Sequence, residues 1–240
     1  MAIDCYYTMT TSIPKFEMYS ATHFYALLII ALITATTIIV GRRMNPANRN
    51  RICKGIALAN LIIFFFEYIR NYIIYDSATF ISAELPLHFC AIMAILCFIA
   101  LWWNRQWARA LVYFGVLSAS IQGLLTPALT IGHPTIEFYQ FFISHGLLLL
   151  SALSIPLLTN WRSRIKDPIR SLLLMNAYLI VIHPINLLCH SNYGFTTAAP
   201  AGSILESLNT PAPWYYLWLE LPALALFCVM HLFVRRKTTK

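Results

Sequence analysis

The stretch Leu85-Pro86-Leu87-His88-Phe89-Cys90 puts an imidazole and a thiol two residues apart, at the head of an apolar run that carries no formal charge as far as Trp103. A thiol in apolar surroundings is a poor nucleophile until a base takes its proton, so the chemistry turns on which base reaches Cys90. His88 is not the obvious partner, because residues two apart on a helix point to different faces. His145, flanked by Ser144 and Gly146, has the right depth in another run, and the two read as nucleophile and general base. The bland reading of a lone intramembrane cysteine is a small hydrophobe, and Cys97 and Cys228 receive only that reading. His88, Cys90, His145 and His183 form an acceptable zinc ligand set, but neither HExxH nor paired Cys-x-x-Cys occurs, so no metal is assigned. A retinal-type Schiff base needs a lysine inside a helix, and no helix interior has one.

These residues must be positioned by membrane helices. Of the 240 residues, 59% are hydrophobic and 11% charged, and the mean hydropathy is +0.67, which excludes a soluble protein. The net charge of +8 is spread over loops rather than gathered on one face, so no nucleic-acid partner is expected. The apolar runs are Phe24 to Val40, Ile56 to Tyr75, Pro86 to Trp103, Ala110 to Leu129, Ile136 to Leu158, Ser171 to Cys189 and Trp214 to Val234. The expected fold is all-α, a single domain over residues 1–240 with seven transmembrane helices. Arg42 and Arg43 follow the first run rather than precede it, unlike the charges of a signal peptide.

The bases check the helix count. Arg42, Arg43, Arg49, Arg51 and Lys54 follow run one, Arg105 and Arg109 follow run three, and Arg162, Arg164, Lys166 and Arg170 follow run five. Arg235, Arg236, Lys237 and Lys240 follow run seven. All fall on one side, whereas Asp4, Glu17, Asp76, Glu84, Glu137 and Glu206 fall on the other with Lys15. By the positive-inside rule the N-terminus is outside and the C-terminus inside, in a multi-pass protein of the cell membrane.

Counted from the arginine-marked ends, Glu67, Cys90, Gln122, His145, His183 and Glu220 all lie ~20 to 23 Å from the inner boundary at ~1.5 Å per residue. That is about two-thirds of the way across a ~30 Å core, a polar layer reachable from the outer leaflet. Ionisable groups are costly there and usually face a bundle interior. Each has a structural alternative. Glu67 and Arg70, at i and i+3, suit an ion pair that holds the second helix. Gln122 suits an interhelical hydrogen bond, and His183 before Pro184 could cap a kink, as Glu220 could near Pro222. As site residues, His88, Gln122, His183 and Glu220 would contact the substrate, with Gln122 donating to an oxyanion and Leu147 to Leu150 housing an acyl chain. Cys5 and Cys189 both lie toward the outer side, where an oxidising compartment would allow a bridge.

The chain resembles the YwaF-like integral membrane family, whose eukaryotic relative is transmembrane protein 164. The resemblance rests on Leu85-Pro86-Leu87-His88-Phe89-Cys90, Gln122-Gly123-Leu124-Leu125-Thr126-Pro127, Phe141-Phe142-Ile143-Ser144-His145-Gly146, Asn192-Tyr193, and Pro213-Trp214-Tyr215 with Glu220. These keep their order across helices three to seven, with His23 and Glu67 as correspondences in the first two helices. The resemblance implies a cysteine acyltransferase that needs no cofactor, with Cys90 as nucleophile and His145 as its partner, moving fatty acyl chains between phospholipids and lysophospholipids. It also implies a fold like that of the androgen-induced-gene membrane hydrolases, which pair a Thr with a His. One position departs from the pattern: the acidic residue that follows Thr-Pro is here Ala128, which removes support for a site at that end of the fourth helix.

Three functions remain open from the sequence: a lipid acyltransferase or thioester-forming hydrolase, a small-ligand transporter or receptor-like bundle, and a metal-dependent membrane hydrolase. Against the second, the chain shows no internal repeat.

Overall fold

A computed structural model describes residues 14–200 and 203–235. Its long helices are α1 (Ala21–Arg43), α2 (Pro46–Ile74), α3 (Phe89–Trp102), α4 (Gln106–Leu125), α5 (Ile136–Leu158), α6 (Asp167–Cys189) and α7 (Tyr215–Val234). All but α3 are long and apolar enough to span a bilayer alone. The α3 helix has 14 residues and follows a short helical turn, Ser77–Glu84, bent 71° from it. The described residues thus form an all-helical bundle with six spans, or seven if that bent pair counts as one. This is a multi-pass membrane protein.

Local chemistry sets the ends. Ser20, Asn45 and Thr135 cap α1, α2 and α5 by accepting the backbone N–H three residues on, satisfying donors that a helix start leaves free. Two boundaries differ from the sequence expectation, and proline explains both. The third helix was expected from Pro86 but starts at Phe89, because Leu85 before Pro86 is forced into extended backbone. The fourth was expected to run to Leu129 but stops at Leu125, since Thr126 precedes Pro127 and leaves helical geometry.

The core surrounds α3. Met93, Cys97, Ala100 and Leu101 are at most 1% exposed, and α3 packs against α2, α4 and α5. Phe114 of α4 stacks on Phe227 of α7 with ring centroids 5.1 Å apart. The outward faces are apolar as well: Leu217, Trp218, Leu221 and Phe233 of α7 are 65 to 82% exposed. A surface of that kind is stable only against lipid. Cys5, Asp4, Arg236, Lys237 and Lys240 lie outside the described residues.

Candidate functional site

The α3 helix begins at a break, and the break puts Cys90 in its first turn. Backbone groups around Leu85 have no helical partners, so tyrosine side chains take them. The buried Tyr193 hydroxyl accepts from the Leu85 N–H and donates to the Ile81 carbonyl, at 2.9 and 2.8 Å, and Tyr178 donates to the Leu87 carbonyl at 2.8 Å. Tyr193 is itself held by Asn186, which accepts its N–H and donates to its carbonyl at 2.8 and 2.7 Å. Gly194 and Phe195 follow with φ of 60° and 55°, a reversal that the hydroxyls of Tyr216 and Tyr215 secure on the two carbonyls. The Asn192-Tyr193 and Trp214-Tyr215 motifs therefore brace the Leu-Pro-Leu turn rather than touch the thiol.

Facing Cys90 are α4 and α5. Within α4 the segment Val116–Ser120 is wound as a π-helix, a form that recurs at functional sites because it re-aims side chains. It brings the Ser120 hydroxyl 3.6 Å from the Cys90 sulfur, which donates to it. Ser120 is 3% exposed. From α5 comes His145, whose Nδ1 lies 2.9 Å from the carbonyl of Phe141, one turn back. A carbonyl only accepts, so Nδ1 carries the proton and Nε2 keeps its lone pair. The ring stacks on Phe141 at 4.2 Å between centroids. Its Nε2 edge abuts Gly123, where an added Cβ would stand 2.7 Å from both Nε2 and Cδ2. The Cys90 thiol is within hydrogen-bonding reach of this imidazole.

Glu67 of α2 completes the group. It sits within electrostatic reach of both His145 and Cys90, near Gln140, the buried amide on α5. The Glu67–Arg70 ion pair expected from the sequence is not formed. Arg70 Nη1 lies 3.5 Å from Glu137, and its Nε and Nη2 donate to Asn71, which in turn donates to Glu84 at 2.6 Å. One helix face carries both residues, but their long side chains part: Arg70 reaches the acidic ends of the neighbouring elements, and Glu67 turns toward His145.

The rest of the expected polar layer disperses. Gln122 is exposed on the outward face of α4, because the glycine beside it takes the face toward His145, so it stands away from the oxyanion role expected of it. Glu220 accepts from Asn176 across α6 and α7 at 3.0 Å. His183 Nδ1 lies 3.2 Å from the Thr196 hydroxyl. His88 stands at the N-cap position of α3 without a side-chain capping bond, its ring 5.0 and 5.8 Å from those of Tyr193 and Phe195 between centroids. Among the described residues no three His, Cys, Asp or Glu side chains converge as a metal-binding group. The correspondence at His23 is structural in geometry: this fully buried ring accepts from the Tyr19 N–H at 3.1 Å and contacts the Leu124 carbonyl at 2.9 Å, tying α1 to α4.

Sequence reading missed Ser120, Gly123 and Gln140. The Gln-Gly dipeptide at the depth of His145 was the available signal for Gly123, since a ring at that depth needs a neighbour without a side chain. Nothing in the sequence marks a π-turn, so Ser120 had no signal.

A bent-helix bundle with an imidazole and a thiol close together at the head of its shortest helix defines a class: a multi-pass membrane protein with a polar pair inside its bundle. The chain belongs to the TMEM164 family, whose model matches residues 18–231. No curated protein and no solved structure matches it.

Proposed function

We propose that the protein is a cysteine-dependent lipid acyltransferase that moves a fatty acyl chain from one membrane phospholipid to a lysophospholipid. The observation that supports it most is the state of His145. Its Nδ1–H is committed to the Phe141 carbonyl, which leaves the Nε2 lone pair on the edge shared with Gly123 and the thiol. Cys90 is also partly accessible, whereas Cys53 and Cys97 are sealed at 1% and 0% exposure.

In this reading Nε2 takes the Cys90 proton as the sulfur attacks the ester carbonyl. The carbon–oxygen bond to the glycerol breaks, and the imidazolium returns the proton to the departing alkoxide. The hydroxyl of a lysolipid then gives its proton to Nε2 and attacks the thioester, and the carbon–sulfur bond breaks. Nε2 returns the proton to the sulfur, and the cycle closes without a cofactor. Glu67 stabilises the imidazolium through space, and the Ser120 hydroxyl is placed to donate to negative charge near the sulfur. Water in place of the lysolipid makes the same site a hydrolase.

A fatty acyl probe followed by mapping of the modified residue tests this. Label is expected on Cys90, lost in Cys90→Ser and kept in Cys97→Ser. His145→Ala should slow labelling by about 10² to 10⁴, the usual worth of a general base. Normal lipid turnover by Cys90→Ala would remove the thiol from the mechanism.

A further inference from the structure

At the other end of α4 the chain builds a second polar feature that the thiol chemistry does not use. A cleft of about 220 Å³ opens where the first turns of α4 and α6 meet, lined by Trp107 and Ala110 of α4, Arg170, Ser171 and Leu174 of α6, and Arg164 just before it. Neither guanidinium has a hydrogen-bond or ion-pair partner among the described residues. Ser171 is 1% exposed, and its hydroxyl makes no hydrogen bond within them. Ser118 and Ser151 each donate to the carbonyl four residues back at 2.7 Å, whereas the fully buried Ser154 hydroxyl has no partner among the described residues. The Ser171 hydroxyl opens on the cleft it lines, where a ligand oxygen can accept from it.

The acid in the wall does not cancel the arginines. Asp167 is 2% exposed and accepts from the Gln106 side chain and the Arg164 N–H at 2.7 and 2.8 Å. Its carboxylate is held by these neutral donors, so with the exposed Arg164 and Arg170 the lining keeps a net positive charge. Below them the wall becomes apolar, and Trp107 and Leu174 are 51% and 43% exposed on helices that continue as spans. A tryptophan at a span end is the mark of the membrane interface.

We propose that this cleft binds an anionic phospholipid from the leaflet on the arginine-bearing face. Arg164 and Arg170 hold the phosphate oxygens, Ser171 donates to one of them from behind, and an acyl chain lies over Ala110 and Leu174 beneath Trp107. Arginine matches phosphate with paired donors, and basic recesses between span ends hold anionic headgroups. A zwitterionic headgroup fits less well, because its ammonium meets two guanidinium groups. The apolar wall distinguishes a lipid phosphate from a free one.

The test uses the full chain in detergent. Retention by native mass spectrometry and the Tm are followed with phosphatidylglycerol, phosphatidylcholine and inorganic phosphate at equal ionic strength. Phosphatidylglycerol alone should be retained and raise the Tm. Each arginine removed should weaken it about fivefold, so R164Q/R170Q loses roughly twenty-five-fold. S171A should weaken retention without lowering the Tm of the lipid-free protein, which a purely structural hydroxyl would do. Cys90→Ala should keep the full effect, which separates this site from the acyltransferase reading. Equal retention of both lipids, an unchanged effect in R164Q/R170Q, or a Tm rise with inorganic phosphate alone would each overturn the lipid assignment.

Discussion

A missing methyl group decides where the His145 ring stands. Because a Cβ at position 123 would lie 2.7 Å from Nε2 and Cδ2, Gly123→Ala must displace the ring or part α4 from α5. The displacement falls on Nε2, the nitrogen proposed to take the proton. Acyl-probe labelling of Cys90 should drop by about 10² or more in this variant, toward the level of His145→Ala, while the helical signal in circular dichroism is kept. Labelling at the wild-type rate would show that the edge of the ring is not the working edge. That Cys90 and His145 lie near each other was legible in the sequence, because both stand at a matched depth. The dispersal of Gln122, His183 and Glu220 was not, since depth counts residues along a helix and says nothing about the direction in which a side chain points. Glu67 shows the same limit from the other side. Its spacing to Arg70 was right for a pair, and acidic neighbours on other helices claimed the arginine first.

The element that makes the site is the turn into α3. Its stability rests on Tyr193, which is fully buried and serves a donor and an acceptor that the broken helix leaves open. Tyr193→Phe keeps the ring and strands both backbone groups, a cost of about 1 to 3 kcal/mol for a buried polar group left unpaired. A lowered Tm together with slower Cys90 labelling is expected, and a variant as stable as the parent would show that water replaces the hydroxyl there. The preceding turn has its own pH dependence. Asp76 accepts from the Thr79 hydroxyl at 2.7 Å and from the Thr79 and Ala78 N–H groups at 3.1 and 3.0 Å, and the Thr79 bonds hold its carboxyl below the usual range. A lowered folded value means that the contribution is complete above the unfolded value, about 3.9. It is lost as the pH falls through the folded one. Exchange of the Ala78 and Thr79 amides should be insensitive to the cap from neutral pH down to about 4 and should rise relative to neighbouring amides only below it. Relative loss of protection already at pH 6 would assign the cap to another group.

At the scale of the whole molecule, the charge asymmetry predicts which face is which. Ser77 and Lys166 are both exposed at opposite ends of the bundle, so cysteines engineered there in a background without native thiols should react from opposite sides of a sealed membrane: Ser77→Cys from outside, Lys166→Cys from inside. Labelling of both from one side would break the seven-span arrangement and, with it, the outer-leaflet approach to Cys90. Ser163 is unsuited to this purpose, being 1% exposed and bonded to His231 at 2.8 Å. The helix count was readable because a bilayer imposes length on apolar runs, which composition reports directly. The shortness of α3 was not, since Pro86 and the apolar residues beside it score the same in a helix or in a buried turn. That shortness alters the work demanded of a lipid. Fourteen residues rise about 21 Å, against a hydrocarbon layer of about 30 Å. The thiol is thus countersunk beneath the Leu85 turn and the tyrosine loop. In the proposed acyl transfer a phospholipid, whose ester linkages lie just beneath its headgroup, would meet the sulfur with its phosphate still at the level of its neighbours. A nucleophile at the bilayer centre would require the phosphate to be dragged into hydrocarbon.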